Sequence, residues 1–316
     1  MPTLLPLLPL LGTRHKNDSN TTSHQRTSRK LASGAAKRVS SLPLRIIAHN
    51  INGVALKDEE VIRSALIRRA QLLLLTETRI RASRSLFEGA RKEFRWLFGS
   101  PGQSTRGGVA IAVHRSLKGV HVVKARRDSL FISVPALKGS TLFVGVVYLP
   151  PAGSMHAVER AELIAELTLT ITTLKAKGKV VMMGDFNARC KANGDEVTNI
   201  EGCDLLNLCL TLGLDIANFS PVCSGEFTWE RMVQGVLQRS TIDYCISTCP
   251  GWIKTLKISS KSSSRLGSDH KPLELTLSLK TRCSPTVPGR PRGAPDRSRR
   301  GCASRRRHGG RRRCRA

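Results

Sequence analysis

The chain is poor in acidic residues. Its 316 residues carry 23 Asp and Glu against 52 Lys and Arg, a formal charge of +29. Such an excess favours a polyanionic partner, either nucleic acid or an anionic membrane face. Aromatic residues make up only 4%, which argues against a stacking platform for single-stranded nucleic acid. No run of 18 apolar residues occurs, so a spanning helix is excluded and no membrane partner is expected. There is no P-loop, no Y-x-D-D reverse-transcriptase signature and no internal repeat. None of the nine cysteines forms a C-x-x-C pair or stands at zinc-finger spacing from a histidine. Free thiols in a reducing compartment are the plain expectation.

What is present is enough apolar sequence, 40%, for one large domain with a substantial core. The charge divides the chain. Residues 1–42 hold +6 and residues 281–316 hold +12, which leaves +11 for the middle. The first arm opens on MPTLLPLLPLLG, broken by three prolines, and continues Ser/Thr-rich and acid-poor, a composition shared with transit peptides. The last is rich in Arg, Gly, Pro and Ser, with RRR at Arg305–Arg307 and Arg311–Arg313. Neither buries enough apolar surface to offset its ordering entropy, so both are predicted to be disordered basic arms around a domain at 43–280. The tail suits non-specific phosphate binding or nuclear import. Nuclear residence is the expectation, with a mitochondrial address as the alternative.

Within the middle, short Val/Ile-rich runs bounded by Gly, Pro and Ser predict strands. They fall at Leu44–Ile51, Leu72–Thr76, Gly108–Val113, Val120–Lys124, Leu130–Val134, Thr141–Leu149, Val180–Gly184, Phe227–Trp229, Thr241–Ser247, Thr255–Ser259 and Leu273–Leu279. Amphipathic helices are predicted over Lys57–Ala70, Met155–Lys175 and Glu201–Leu214. Interspersed strands and helices in these numbers imply an α/β fold, two mixed sheets face to face with helices outside, a four-layered sandwich.

Polar residues stand where the apolar strands stop. Asn50 ends RIIAHN, Glu77 ends LLLLTE and Tyr148 ends LFVGVVY; Asp185 and Asn187 close VVMMGDFN. Asp243 sits inside STIDYCIS, and Asp269 and His270 precede KPLELTL. A single strand-end Asp or Asn is usually a turn residue. Carboxylates after long apolar runs nevertheless need a metal, a charge partner or water, and strand ends on one edge of a sandwich share a mouth.

The local words carry more. HNING (49–53), LTETRI (75–80), VVYLPP (146–151), MGDFNA (183–188), IDY (242–244) and SDH (268–270) together resemble, in order, the endonuclease/exonuclease/phosphatase superfamily, whose fold is DNase I-like. Tyr148 followed by x-Pro, where DNase I-like and sphingomyelinase-like members have a His, is similar to the apurinic/apyrimidinic endonucleases and to the endonuclease domain of LINE-type (non-LTR) retrotransposons. N-I-N-G, with Asn52 where repair enzymes have Asp, and F-T-W at Phe227–Trp229 resemble the retrotransposon group. Thr76 departs from the Gln that often precedes the metal-binding Glu.

The resemblance implies a Mg²⁺-dependent phosphodiester hydrolase, with Mn²⁺ as a substitute. Glu77 is the first metal ligand, with Asn50 and Asp269 as partners, oxygen donors that suit a hard cation. Asp185 orients or deprotonates the attacking water and Asn187 holds phosphate or water beside it. His270 faces the phosphate, oriented by Asp243, and Tyr148 donates its hydroxyl to the phosphate. Ser268 stands near the phosphate. Arg79, Arg81, Arg84, Arg231, Lys261 and Arg265 are candidates to grip the backbone of double-stranded DNA, and Thr228 and Trp229 to touch it near the cut. The implied act is a nick whose 3′ hydroxyl primes reverse transcription. With no polymerase motif present, a reverse transcriptase supplied by another chain, or a truncated copy of the element, is implied; the endonuclease itself is expected to be a monomer. An abasic-site repair enzyme or another phosphoesterase of this fold is the second reading, and an inert nucleic-acid-binding relic the third.

Overall fold

The computed structural model describes residues 43–54, 57–80, 92–100, 107–136, 140–153, 157–260 and 266–278. The two basic arms expected at 1–42 and 281–316 lie outside the described residues, as do Arg81, Arg84, Lys261 and Arg265.

The first half of the described chain gives β1 (Leu44–Asn50), α1 (Asp58–Ile67), β2 (Leu72–Thr76), β3 (Phe94–Phe98), β4 (Ala110–His114), β5 (His121–Ala125), β6 (Ser129–Pro135) and β7 (Thr141–Tyr148). The second gives α2 (Ala157–Lys175), β8 (Lys179–Asp185), α3 (Ile200–Leu212), β9 (Asp215–Ile216), β10 (Cys223–Ser224), β11 (Trp229–Val233), β12 (Val236–Ser240), β13 (Asp243–Ser247), β14 (Ile253–Ile258) and β15 (Leu273–Leu277). One sheet has the order β10-β14-β15-β1-β2-β4-β3 and the other β5-β6-β7-β8-β13-β9, while β11 and β12 form a separate hairpin.

Period-two alternation builds the layers. In β1 and β2, Leu44, Ile46, Ala48, Leu72 and Leu74 join the core between the sheets. Their neighbours Ile47, Leu73 and Leu75 face the other way, onto Val61, Ile62 and Ala65 of α1. In the second sheet Val144, Val146, Val181 and Met183 point into the same central core, and Phe143, Val147, Val180 and Met182 pack on Leu167 and Ile171 of α2 and Leu205 and Leu208 of α3. The result is the four-layered α/β sandwich expected from the sequence. Because both faces of these strands are buried, they read as unbroken apolar runs. Among the described residues no helix is long and apolar enough to cross a membrane.

Three expectations need correction. Phe227–Trp229 is not a strand: Phe227 takes a left-handed backbone (φ 47°) and β11 starts only at Trp229. Asp243 does not sit in mid-strand but opens β13. Strands β3 and β12 were not foreseen. The outward-facing β12, exposed at all but its last residue, offers no apolar alternation, and the charged flanks of FRWLF mask β3.

The topology brings one set of strand ends together. Parallel β1 and β2 end in register at Asn50 and Thr76, and parallel β7 and β8 end in register at Tyr148 and Asp185. Strand β13 runs antiparallel to β8, so its first residue, Asp243, pairs with the last of β8, Asp185. Strand β15 runs antiparallel to β1, which places the SDH turn before it beside the end of β1. Gly184 allows the close approach of β7 and β8 just before Asp185: its φ is +150°, and a Cβ there would lie 1.9 Å from the Val147 carbonyl oxygen.

Candidate active site

At this edge a cavity of about 500 Å³ opens, lined by residues from both sheets, among them Asn50, Glu77, Arg79, Asp185, Asn187 and Asp269, with His270 and Trp229. Two connected networks shape it. In the first, Asn50 Nδ2 donates to Glu77 Oε1 (3.1 Å) and to Asp185 Oδ2 (2.9 Å), while its Oδ1 accepts from the Asn52 amide (3.0 Å). One carboxamide thus ties the ends of β1, β2 and β8. Arg79 Nη2 reaches Glu77 Oε2 at 2.9 Å and also bonds Asn52. Asp185 Oδ1 accepts the Asn187 amide (2.9 Å), and Asn187 Nδ2 donates to the Leu149 carbonyl (2.9 Å), which fixes its amide plane.

In the second network His270 Nδ1 lies 2.8 Å from Asp243 Oδ2. Ser268 Oγ donates to the Asn50 carbonyl (2.7 Å) and accepts the His270 amide (3.1 Å), so it fastens the SDH turn to the end of β1. Thr228 Oγ1 accepts the amides of Ile242 and Asp243, each at 3.0 Å, and sets the start of β13. Trp229 Nε1 donates to Asp269 Oδ2 (3.0 Å). His49 Nε2 pairs with the His270 carbonyl (3.2 Å); a carbonyl only accepts, so that nitrogen carries the proton.

The electrostatics follow from burial and neighbours. Burial opposes a charge on His270, but the carboxylates of Asp243, Asp185 and Asp269 outweigh it and lift its pKa from 6.5 to about 10. Burial first, and the Asp243 charge second, raise Asp185 to about 7, against the opposing pull of His270. His49 is driven down to about 3 by burial and is neutral. Asp185, Asp243 and His270 each offer an atom within 4.8 Å of the others. Within this trio His270 Nδ1 is already engaged by Asp243 Oδ2, an arrangement that orients the ring.

The carboxylate oxygens of Glu77 and Asp269, both in the cavity lining, are hard donors of the kind a divalent cation takes; Asn50 turns its Nδ2 toward Glu77 and Asp185.

The backbone here is unusual. Asn52, Glu77, Arg79 and Asn187, all lining the cavity, have φ of 47°, 48°, 52° and 50°. Left-handed conformations cost about 1 kcal/mol or more for residues other than Gly and gather at functional sites.

Comparison with known proteins bears on the fold. Residues 142–274 match the family model described as endonuclease-reverse transcriptase. The fold is shared with solved nuclease structures. The endonuclease domain of TRAS1, a telomere-specific non-LTR retrotransposon, superposes with a TM-score of 0.59 at 18% identity, over 75% of this chain and 99% of that one. The AP endonuclease LMAP from Leishmania major gives 0.60 at 12% identity, over 75% and 88%. The 3′-5′ exonuclease NExo from Neisseria meningitidis gives 0.58 at 21%, over 74% and 100%. No curated protein matches the chain by sequence.

On this fold the residues singled out in the sequence fall into three groups. Asn50, Glu77, Arg79, Asp185, Asn187, Arg231, Asp269 and His270 line the cavity. Asp243, Thr228 and Ser268 stand behind it, 4%, 0% and 6% exposed, and act through the groups they hold. Tyr148, assigned to the phosphate by the resemblance, packs at the end of β7 with Val144 and Val146 and is not among the lining residues. Arg189, Asn199 and Glu201, not among the expected site residues, also line the cavity. Asn199 was discoverable as a helix cap: its Oδ1 accepts the Gly202 amide at 2.8 Å.

Proposed function

We propose that this protein is a divalent-cation-dependent phosphodiester hydrolase, and specifically a DNA endonuclease of the non-LTR retrotransposon kind that nicks duplex DNA and leaves a 3′ hydroxyl. The observation that carries the reading is the Asp243–His270 pair brought within 4.8 Å of Asp185, beside a cavity whose lining also holds Asn50 and Glu77. The match over residues 142–274 favours the retrotransposon branch.

A divalent cation held by the Glu77 carboxylate, with Asp269 in the same lining, would supply Lewis-acid stabilisation of phosphate charge. The chain's own groups do the rest. Asp185, with a pKa of about 7 in the metal-free protein, accepts a proton from the attacking water, a value close to working pH as general-base catalysis requires. His270 is a cation at that pH; with Nδ1 engaged by Asp243, its Nε2–H is left to bond a non-bridging phosphate oxygen as negative charge builds. The water oxygen bonds to phosphorus, the bond to O3′ breaks, O3′ takes a proton from solvent in the open cavity, and the products are a 5′ phosphate and a 3′ hydroxyl able to prime a reverse transcriptase on another chain. Arg189 and Arg231, both exposed at the rim, meet the flanking backbone phosphates.

The test is nicking of supercoiled plasmid with Mg²⁺, Mn²⁺ or chelator, for wild type and His270→Ala. Nicking by wild type with cation, none with chelator and none by the variant supports the proposal. Equal nicking by the variant refutes it. Cleavage of an abasic-site duplex far faster than of intact duplex moves the assignment to the repair branch.

A further inference from the structure

Arg160 heads the largest fully buried side chains of the described protein, at 2% exposure, and no motif announces it. It projects from α2, and its guanidinium meets four acceptors. Nε bonds Asp204 Oδ2 (3.1 Å). Nη1 donates to the carbonyls of Pro150 (2.7 Å) and Phe186 (3.3 Å), and Nη2 to the carbonyl of Glu201 (3.4 Å). These acceptors belong to three segments: the chain leaving β7, the chain leaving β8, and the first turns of α3.

The same three segments build one wall of the cavity. Pro151 follows Pro150, Asn187 follows Phe186, and Glu201 and Asn199 begin α3; all four line the cavity. They are cross-linked to one another as well. Glu201 Oε1 accepts the Ala152 amide at 2.5 Å, Asn187 Nδ2 reaches the Leu149 carbonyl, and Asn199 Nδ2 donates to the Asn187 carbonyl (3.1 Å). Arg160 bonds to all three segments. A charge buried this deeply is less favourable than an apolar side chain of equal volume. What it adds is direction, since a planar fork fixes several carbonyls relative to one another.

We propose that Arg160 is a positioning residue: it holds the Phe186 carbonyl, and through it Asn187, in a fixed relation to the Pro150–Ala152 segment and the start of α3. The wall is thereby set before substrate arrives. The kinetic part of this inference rests on the hydrolase reading; the structural part does not.

The experiment compares Arg160→Met with Leu205→Ala, a core variant in the same layer (Leu205 is 1% exposed), at temperatures giving equal distance below each melting point. Amide hydrogen exchange is followed in peptides spanning 149–153 and 186–190, and kcat and KM are measured for plasmid nicking. The expected result is exchange at least tenfold faster in both peptides for Arg160→Met only. Its kcat falls about 100-fold with little change in KM, the effect of a small misplacement of a reacting group. Arg160→Lys recovers part of the rate. Equal exchange in the two variants, or an equal loss of kcat, overturns the proposal. Should Arg160→Met not fold, Arg160→Lys, which keeps the charge and loses the fork, is compared with Leu205→Ala in the same two ways. A wild type that does not nick would sink the hydrolase reading, and the exchange comparison would then decide the positioning role alone.

Discussion

Replacing Asp243 by Asn keeps the shape of its pair with His270 and removes the charge that keeps the ring protonated. Burial works to discharge the imidazolium, and Asp243 is the foremost of the groups that resist it, ahead of Asp185 and Asp269. Without it the His270 pKa is expected to fall from about 10 to the ordinary 6.5 or lower, a change on the order of 4–5 kcal/mol in the balance between charged and neutral ring. At pH 8 a histidine of pKa 6.5 is charged in only ~3% of molecules, so nicking should drop at least ~30-fold. At pH 6 about three quarters are charged and most of the deficit should vanish. Wild type needs no such rescue, because its ring stays charged up to about pH 10. The assay is single-turnover plasmid nicking at pH 6 and pH 8 with saturating Mg²⁺, alongside an NMR titration of the His270 ring in the metal-free protein. Nicking within threefold of wild type at pH 8, or a ring that still titrates near 10 in Asp243→Asn, would refute the reasoning.

Other perturbations have equally definite outcomes. Asp185→Asn removes the base and should lower the nicking rate by about 10²–10⁴, with the melting temperature retained or raised, since the buried carboxylate is no longer forced to ionise. His49, with its folded pKa lowered to about 3, is protonated in the unfolded chain before it is in the folded one. Its own contribution to stability should therefore fall by about 2 kcal/mol between pH 7 and pH 5, against the opposite trend of the raised Asp185 and His270. The stability difference between wild type and His49→Gln in urea titrations should shift by that amount over the range, and a pH-independent difference would count against a buried neutral ring. Thr228→Val strands the buried amides of Ile242 and Asp243 and should cost roughly 2–4 kcal/mol by denaturant unfolding. Gly184→Ala drives a methyl into the Val147 carbonyl and should cost more than about 3 kcal/mol; a variant as stable as wild type would contradict the close β7–β8 approach.

The central strands were legible because they are sealed on both faces. LLLLT and KVVMMGD have no polar interruption to confuse the reading, and both are strands as expected. The polar residues that end them were legible for the complementary reason, since nothing in a core tolerates Asp185 or Glu77 without a purpose. The side to which Tyr148 turns was not, because only the alternation of β7 in three dimensions decides it. Arg160 was hidden for a different cause. Its acceptors are mostly backbone carbonyls from residues 150, 186 and 201, and carbonyls leave no mark in a sequence. The hairpin β11–β12 carries Gln234 and Gly235 at positive φ in its turn, a conformation for which Asn-Gly is the usual signal.

The pairing of Asp243 with Asp185 across β13 and β8 bears on how this centre tolerates change. Partners in an antiparallel ladder are separated by the ladder itself, so connecting loops are free to lengthen or shorten without altering the distance between the two carboxylates. A slip of a single step along β13 would rotate the carboxylate toward the opposite face and present Ile242 or Tyr244 to the site in its place. Variation in the surrounding turns is graded in its effect, whereas an indel inside this five-residue strand is all-or-nothing.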